Sequence, residues 1–398
     1  MINVLLFTHH LVSGGAEKTL REIAWYFNTH PEYRIHTSIA VVYDDRAAHE
    51  ALDGTVETHV LNTASAPGDS RMKKLRNVIR QIGEFRRLKT DLAPDICVSF
   101  LPGADIINVL SGTRVKKVVS VRSQESHFAE KAGKKIYVRT AYILCDFITA
   151  ASEAIKRDIV SFFHADGNKI AVIPNWAAVP EDQDSIQDPQ AFDRYLRFIA
   201  GRKTIISVGR LHPVNGQVHL LRAFSAVADE EPQTVLVFVG DGPEKERLVS
   251  LTESLGLSER VFFAGDRRPP YAYMKKADVF VLPSNVEGMP NVILEAMLCG
   301  LPVIATRCGA EELLGEEERG VLTAPCASYT DQVPEEYYDH SYPLTDNEQA
   351  FASVIAELIR DPDRRRKYAE AGRSYAMEYA PERIAGKWAD LFEKLSRR

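Results

Sequence analysis

The chain has 398 residues, 45% of them apolar and 26% charged, a composition that excludes a disordered or low-complexity protein. At about 100–200 residues per domain, this length favours two domains. A net charge of −6 argues against nucleic acid as a partner. The five cysteines include no C-x-x-C pair, which disfavours a zinc site and favours reduced thiols in the cytoplasm.

Positive charge is concentrated in the first half of the chain. Residues 1–178 contain 23 Lys and Arg against 19 Asp and Glu, a net charge of +4, whereas the remainder has a net charge of −10. Only the first half is therefore expected to meet an anionic partner. The opening MINVLLFTHH predicts a strand rather than a signal peptide. No run approaches the roughly 20 apolar residues of a membrane span, so membrane contact would be peripheral.

Short apolar runs alternate with longer amphipathic segments up to residue 173. Strands are predicted at 3–7, 37–42, 57–61, 96–100, 117–121, 147–150 and 170–173. Helices are predicted between them, for example at 17–27 and 71–88. Repeated βα units of this kind predict a parallel sheet that is covered by helices on both faces.

The alternation is interrupted at 179–193, a stretch rich in Pro, Asp and Gln that predicts a linker. It restarts with strands predicted at 203–208, 234–239, 261–264, 279–283 and 301–306. Residues 326–347 are irregular, acidic and tyrosine-rich, which predicts a surface insertion, and 381–395 predicts a terminal helix. The chain is thus expected to form two α/β domains, with a ligand in the cleft between them.

Two motifs are weak when taken alone. Gly14 and Gly15 follow the first strand and precede a helix, so the backbone can approach an anion at the helix end, although an ordinary turn explains them equally well. Arg210 ends the first strand of the second domain, where a guanidinium can bind a phosphate. A surface arginine is the commoner explanation. The turn 240–243 (Gly-Asp-Gly-Pro) needs no ligand to explain it.

The segment 283–297 is predicted to run from a strand through a loop into a helix. Glu287 lies in the loop, and Glu295 lies eight residues later on the helix. The N–H groups from Asn291 to Ile293 are expected to be free and to suit a diphosphate, with Glu287 on a sugar hydroxyl and Glu295 on a ribose. Spacing alone leaves a solvated helix face as an equal explanation.

The stretch EGMPNVILEAMLCGLPVIAT (287–306) resembles the E-x7-E region of the family 4 glycosyltransferases. Segments resembling that family also occur in its order elsewhere: GGAE, VIPNW at 172–176, SVGRL, GDGPE and the terminal helix. The resemblance implies the GT-B fold, in which two Rossmann-like β/α/β domains face each other across a cleft. It implies an acceptor-binding domain at 1–178 with the helix 381–398 packed back on it. The nucleotide-sugar domain would then span 179–380.

In the first domain, the resemblance places Gly14 and Gly15 over the donor phosphates. Arg122, in Ser-Val-Arg-Ser, falls where relatives have a His or Arg near the donor sugar, and His127 is a weaker match for that role. Asn175 matches an asparagine between the domains.

In the second domain, Arg210 matches the diphosphate arginine, Glu287 the contact to the transferred sugar and Glu295 the ribose ligand. The remaining matched positions contribute backbone groups to a sugar and phosphate cradle: Gly288, Met289, Pro290, Asn291, Val292 and Ile293. Met289 replaces the family's usual Phe. Asn215 occupies the position of a lysine that pairs with Arg210, so one cation on the leaving group is lost. A missing donor of this kind costs about 2–4 kcal/mol of transition-state stabilisation.

The resemblance implies a retaining glycosyltransferase of polysaccharide or glycoconjugate biosynthesis. It would transfer a hexose or N-acetylhexosamine from a nucleotide-sugar, UDP-linked in preference to GDP-mannose, to a glycan or polyprenyl-diphosphate-linked acceptor. No D-x-D pair ends a strand, so no metal ion and no other cofactor is expected; Asp44 and Asp45 favour a turn. The alternatives are a GT-B epimerase that acts on the nucleotide-sugar and a weakly active or degenerate nucleotide-sugar binder, which Asn215 makes credible. A nicotinamide oxidoreductase is disfavoured, since no G-x-G-x-x-G follows a strand.

Residues 71–89 predict a basic amphipathic helix with a single acid, Glu84. Its basic residues are Arg71, Lys73, Lys74, Arg76, Arg80, Arg86, Arg87 and Lys89. Apolar residues recur every three or four positions: Met72, Leu75, Ile79, Ile82, Phe85 and Leu88. Such a helix can lie on an anionic membrane or pack its apolar stripe into the core. Lys131, Lys134, Lys135 and Arg139 add to the charge. The expected location is the cytoplasm, with peripheral contact at the inner face of the plasma membrane.

Overall fold

The computed structural model describes residues 1–11, 14–43, 54–61, 70–129, 132–179, 186, 188–267, 269–328 and 332–397. Asp44, Asp45 and Lys131 lie outside this part of the chain, as do the side chains of Arg71, Lys74 and Leu75. The chain forms two compact units. Unit 1 contains Met1–Trp176 and Pro381–Arg398, and unit 2 contains Ala177–Ala380.

Unit 1 has a seven-stranded parallel sheet in the order β3-β2-β1-β4-β5-β6-β7. Its strands are β1 (Ile2–Thr8), β2 (Ile35–Val41), β3 (Glu57–Val60), β4 (Ile96–Phe100), β5 (Lys116–Val121), β6 (Phe147–Ala150) and β7 (Ile170–Val172). Its helices are α1 (Gly15–Thr29), α2 (Arg71–Leu92), α3 (Pro102–Leu110), α4 (Ala132–Leu144), α5 (Glu153–Phe163) and the C-terminal α14 (Pro381–Ser396).

Unit 2 has a six-stranded parallel sheet in the order β10-β9-β8-β11-β12-β13. Its strands are β8 (Lys203–Val208), β9 (Thr234–Val239), β10 (Val261–Gly265), β11 (Val279–Leu282), β12 (Val303–Thr306) and β13 (Val321–Thr323). Its helices are α6 (Pro189–Ile199), α7 (Gln217–Glu230), α8 (Lys245–Ser254), α9 (Tyr271–Met274), α10 (Asn291–Leu298), α11 (Glu311–Leu314), α12 (Asp346–Arg360) and α13 (Pro362–Ala376).

Both sheets are parallel and Rossmann-like, which confirms the predicted fold class. Central strands such as β4 and β9 are buried at every position, as expected where helices cover both faces of a sheet. Side-chain caps start several helices: Ser70 accepts from the backbone N–H of Lys73, and Thr345 with Glu348 forms a capping box. These local signals explain why the sequence pattern located most elements.

The terminal helix α14 belongs to unit 1, although it follows unit 2 in the chain. Trp388 is almost fully buried, and the Phe392 ring lies 5.9 Å from that of Phe27 on α1. Because aromatic side chains bury large apolar areas, this contact anchors the end of the chain to the first sheet.

Three expectations for unit 2 were wrong in detail. The predicted linker at 179–193 overlaps α6, which begins at Pro189 with Asp188 as its cap. Strand β13 was not predicted from the sequence. The segment 326–347 is more than a surface insertion: Val333 is buried in the core of unit 2, and Tyr337 packs against that core.

A buried ion cluster holds this segment in place. Glu348 accepts hydrogen bonds from Arg222 Nε at 3.0 Å and pairs with His219 Nδ1 at 2.8 Å. Arg222 also donates to the carbonyls of Tyr342 and Pro343. Removing one partner would leave an uncompensated buried charge, so the cluster ties the acidic segment to α7 and α12.

Candidate functional site

In each sheet, successive strands are added first on one side of the first strand and then on its other side, so the strand order reverses once. In unit 1 the switch lies between β1 and β4, and in unit 2 it lies between β8 and β11. Parallel α/β sheets bind ligands outside the carboxyl ends of their strands at such a switch point. The loops that follow these four strands are therefore the candidate positions for a binding site.

In unit 2, the loop after β8 presents Arg210. Its side chain is exposed, whereas its carbonyl oxygen accepts hydrogen bonds from Asn215 Nδ2 at 2.8 Å and from Gln217 Nε2 at 2.9 Å. Asn215, at the position where the resemblance expects a lysine, is thus bonded to the backbone of the neighbouring arginine. Sequence reasoning missed Gln217, which carries no motif of its own.

The loops after β8 and β11 are in direct contact. The backbone N–H of Asn285 donates to the carbonyl of Val214 at 2.9 Å. A Cβ on Gly216 would lie 2.1 Å from the carbonyl oxygen of Pro283, and Gly216 has a φ of +66°, so only glycine fits there. This close approach brings the Arg210 loop beside the loop that carries Glu287.

Glu287 is held by its own loop and by the one after β12. Ser284 Oγ donates to Glu287 Oε1 at 2.9 Å, and the Glu287 N–H donates to the carbonyl of Cys308 at 2.5 Å. Burial raises the pKa of the Glu287 carboxyl, and the hydrogen bond from Ser284 opposes that rise. A carboxyl so placed can hold a sugar hydroxyl. Ser284 had not been identified as a supporting residue.

Helix α10 begins at Asn291, as the motif predicted. Its cap residue is Pro290, which makes no side-chain cap hydrogen bond, and no acidic residue lies in the first turn. The positive end of the helix dipole therefore faces no carboxylate of its own first turn. One expectation was wrong: the Ile293 N–H donates to the Pro290 carbonyl at 3.0 Å, so it is not a free donor.

The other residues of this segment are well packed. Glu295 and Met289 are each less than a tenth exposed, and Gly288 and Pro290 are buried, while Val292 is half-buried. Burial of Met289 shows that its side chain contributes to the core. Among the described residues, no group of three or more His, Cys, Asp and Glu side chains is arranged to hold a metal ion.

In unit 1, Gly14 precedes α1 and Gly15 is its first residue. A Cβ on Gly14 would lie 2.2 Å from Glu17 Oε2, whereas one on Gly15 would meet no atom of the described residues within 4 Å. The carboxylate of Glu17 thus lies at the helix start, and burial raises its pKa. A donor phosphate at this helix end would have a carboxyl group for a neighbour.

Two further groups at this switch point were missed by the sequence reasoning. Burial lowers the pKa of His9 to about 4, which makes its imidazole neutral at pH 7, and a Cβ on Gly103 would lie 2.4 Å from this ring. Leu101, just before α3, has a φ of +77°. A non-glycine residue in that region is rare, and such strain is concentrated at functional positions.

Arg122 and Asn175 come together inside unit 1. Arg122 donates to Ser120 Oγ at 2.9 Å, to the carbonyl of Ile173 at 2.9 Å and to Asn175 Oδ1 at 3.1 Å. Its guanidinium also lies 5.4 Å from the Trp388 ring centroid. Burial lowers the pKa of Arg122 to about 9. The group remains cationic at pH 7, and the role near the donor sugar stays a prediction.

His127 lies on a short 3-10 turn, Glu125–Phe128, with one ring nitrogen 3.2 Å from Gln124 Oε1. The more unusual residue of this turn is Glu125, which is buried and accepts a 2.6 Å hydrogen bond from Tyr142 on α4. Burial raises the pKa of Glu125 to about 7. Asp105 on α3 is also buried, and its Oδ1 has no hydrogen-bond partner among the described residues.

The basic helix α2 divides into two parts. Its C-terminal part is in the core: Phe85 is fully buried, and Lys89 donates to the carbonyl and side chain of Asn108 and to Ser111. The expectation of Lys89 on a membrane-facing surface was therefore wrong, because its ammonium caps the end of α3. In the N-terminal part, Met72 and Ile79 are exposed.

Two Rossmann-like units in one chain define the GT-B architecture. The crystal structure of Anabaena HepE in complex with UDP and glucose has this fold, with a TM-score of 0.78 at 21% identity over 99% of this chain and 100% of that chain. A family model described as Glycosyltransferase Family 4 matches residues 13–178, and one described as Glycosyl transferases group 1 matches 190–335. The chain belongs to the family 4 glycosyltransferases.

Similar proteins act on lipid-linked acceptors. An N-acetylgalactosamine-N,N'-diacetylbacillosaminyl-diphospho-undecaprenol 4-alpha-N-acetylgalactosaminyltransferase of Campylobacter jejuni is 24% identical over 96% of each chain. A GDP-mannose-dependent alpha-(1-6)-phosphatidylinositol monomannoside mannosyltransferase of Mycolicibacterium smegmatis is 32% identical over 53% of this chain and 52% of its own. Within the described part of the chain, no helix has the length and apolar character needed to cross a bilayer.

Proposed function

We propose that this glycosyltransferase is retaining and metal-independent and transfers a hexose or N-acetylhexosamine from a UDP-sugar. One observation carries the proposal. Arg210 is exposed on a loop that contacts the Glu287 loop, and α10 starts just beyond Glu287 with no side-chain cap. A guanidinium and a positive helix end are the groups that a diphosphate needs.

In this proposal each group of unit 2 has one task. The diphosphate binds at the start of α10 and to the guanidinium of Arg210. Glu287, held by Ser284, accepts hydrogen bonds from hydroxyl groups of the transferred sugar, and Glu295 holds the ribose diol. The binding of UDP and glucose by the similarly folded Anabaena HepE supports a UDP-linked donor.

The chemistry requires charge stabilisation at the leaving group. As the bond from the anomeric carbon to the phosphate oxygen breaks, negative charge grows on the diphosphate, where Arg210 and the helix end stabilise it without a metal ion. The acceptor hydroxyl attacks on the same face and forms the new bond. Its proton passes to the departing phosphate oxygen, so the anomeric configuration is retained.

We propose a glycan or polyprenyl-diphosphate-linked acceptor, reached by peripheral contact of unit 1 with an anionic membrane. The exposed apolar residues Met72 and Ile79 on α2 and Ile136 and Ile143 on α4 support this contact. Exposed basic residues on the same helices are Lys73, Arg76, Arg80, Lys134 and Arg139. Apolar side chains among cations suit the headgroup boundary of an anionic bilayer.

The donor is tested by thermal shift with UDP- and GDP-linked sugars, because a selective ligand stabilises by RT ln(1 + [L]/Kd). Turnover of the stabilising donor is then followed with and without EDTA, and the anomeric configuration of the product is read by NMR. An inverted product, or activity lost in EDTA and restored by a divalent ion, would refute that part of the proposal. Stabilisation by GDP-sugars alone would replace the UDP assignment.

A degenerate nucleotide-sugar binder is the second candidate, since Asn215 leaves the loop after β8 with one cation fewer than the resemblance implies. Tight donor binding without turnover, across both lipid-linked and glycan acceptors, would favour it. Interconversion of the nucleotide-sugar without an acceptor would instead favour an epimerase.

Membrane contact is tested separately, by sedimentation with phosphatidylglycerol vesicles and with phosphatidylcholine vesicles. Binding is expected only to the anionic vesicles, and it should weaken as salt rises. Ile136→Asp with Ile143→Asp should abolish it. Equal binding of the wild-type protein to both vesicles, or none to either, would contradict the proposed contact.

A further inference from the structure

Two side-chain amides hold the carbonyl oxygen of Arg210. Asn215 Nδ2 donates to it at 2.8 Å and Gln217 Nε2 donates at 2.9 Å. Because only the nitrogen of an amide side chain can donate to a carbonyl, these bonds fix the orientation of both amides. Gln217 is 4% exposed, so its hydrogen bond is shielded from water.

The backbone on both sides of Arg210 is fixed as well. The Gly209 N–H donates to the carbonyl of Val239 at 3.0 Å, and the Leu211 N–H donates to the carbonyl of Asp241 at 3.0 Å. Three successive residues therefore have their backbone bonded, while the Arg210 side chain remains exposed. A fixed backbone beneath an exposed cation reduces the ordering cost when an anion binds.

We propose that Asn215 and Gln217 are positioning residues that hold Arg210 for the donor diphosphate. The inference rests on the proposed function, because it assumes that Arg210 binds this diphosphate. With no lysine at position 215, the loop after β8 has one cation rather than two. Binding then depends more strongly on where that single guanidinium is placed.

The test uses neutral replacements of similar size, Asn215→Leu and Gln217→Met, which remove the amide donors without adding charge. UDP and GDP are each titrated against the full chain by calorimetry. Each single variant should raise the Kd of the nucleotide that binds about three- to tenfold, the value of one lost hydrogen bond. Asn347→Leu is the matched control, because Asn347 donates to the Pro325 carbonyl, and its Kd should match the wild type.

A double-mutant cycle separates positioning from other roles. If the amides act through Arg210, the pair of replacements should change the Kd less than twofold in an Arg210→Gln background. An equal loss in both backgrounds would overturn the inference, as would an unchanged Kd in the wild-type background. A merely structural role would lower the melting temperature and still weaken binding in the Arg210→Gln background.

Failure of the proposed function gives a different pattern. If neither nucleotide binds the wild-type chain, or if Arg210→Gln binds as the wild type does, the donor site is misplaced and the inference falls with it. If Arg210→Gln weakens binding and the amide replacements do not, only the positioning role is refuted. Asn215→Leu keeps this test valid should the more buried Gln217→Met fail to fold.

Discussion

Two arginines follow strands of the two sheets, and they are used in opposite ways. In unit 1, Arg122 follows β5 and donates three hydrogen bonds to groups of its own unit. In unit 2, Arg210 follows β8 with an exposed side chain, and among the described residues its hydrogen bonds are made by its backbone. The same residue type thus supports the fold in one unit and is available to a ligand in the other.

The helix ends show the same contrast. The start of α1 in unit 1 has the carboxyl group of Glu17 beside Gly14, whereas α10 in unit 2 has no acid in its first turn. The cap residues Gly14 and Pro290 are alike in making no side-chain cap hydrogen bond. A carboxylate at a helix start already uses the favourable interaction with the dipole. Equal βα geometry does not require equal anion binding, because a carboxylate in the first turn competes with a bound anion for the helix dipole.

The largest expected effect is on activity, from Arg210→Gln. Loss of a cation on the leaving group should lower kcat about 10²–10³-fold, as for other transition-state donors. The melting temperature should stay unchanged, because the side chain is exposed. Arg366→Gln is the control, because this exposed arginine pairs with Asp363 in its own helix. If Arg210→Gln had wild-type activity, Arg210 would not bind the leaving group, and the proposed difference between the two arginines would be wrong.

Arg122→Gln should have its main effect on stability. It removes the donors to Ile173 and Asn175 and the contact with Trp388, so we expect a loss of about 2–3 kcal/mol. For a unit of this size, that lowers the melting temperature by roughly 5 °C or more. The measurement is a thermal melt without ligand. If Arg122→Gln and Arg210→Gln had the same melting temperature, Arg122 would not support the fold more than Arg210 does.

Glu125 makes unit 1 sensitive to pH. Its folded pKa is raised from 4.5 to about 7, so the folded state keeps a proton that the unfolded state has released. Stability should therefore fall as pH rises through this window and level off above it. Glu125→Gln still accepts the Tyr142 hydrogen bond and cannot ionise, so it should gain about 2–3 kcal/mol over the wild type between pH 5 and pH 8.

The measurement for Glu125 is a set of thermal melts from pH 5 to pH 8. The charge of Asp158 also raises the pKa of Glu125, and the charges of Asp105 and Asp158 raise the pKa of its partner Tyr142. Both aspartates remain in the variant. Glu84→Gln on α2, where Glu84 pairs with Arg80, is the control. The stability difference between this variant and the wild type should not follow the same pH curve. A Glu125→Gln advantage that is constant with pH would show that the carboxyl does not titrate in this window.

The sequence predicted most strands because buried parallel strands are continuous apolar runs, as in β4 and β9. The E-x7-E spacing also located the start of α10. Contacts between distant segments could not be predicted: nothing local shows that the Asn285 N–H donates to the Val214 carbonyl. Even within one loop, no motif shows that Asn215 and Gln217 bond the same carbonyl. The burial of charged side chains could not be predicted either. In the sequence Lys89 and Arg122 look like surface residues, yet Lys89 is buried and Arg122 lies against Trp388 of α14.

The smallest expected effect comes from making the helix ends alike. Asn291→Asp adds a carboxylate of nearly the same shape to the first turn of α10. It should stabilise the helix by about 0.3–1 kcal/mol and yet raise the Kd of UDP about five- to tenfold, because the new charge repels the diphosphate. Raising the salt concentration should reduce this loss of affinity.

The control is Glu17→Gln in unit 1, which should leave the UDP affinity unchanged. If Glu17→Gln changes it as much as Asn291→Asp does, the phosphates lie near α1 as well, and the contrast between the helix ends does not decide where the donor binds.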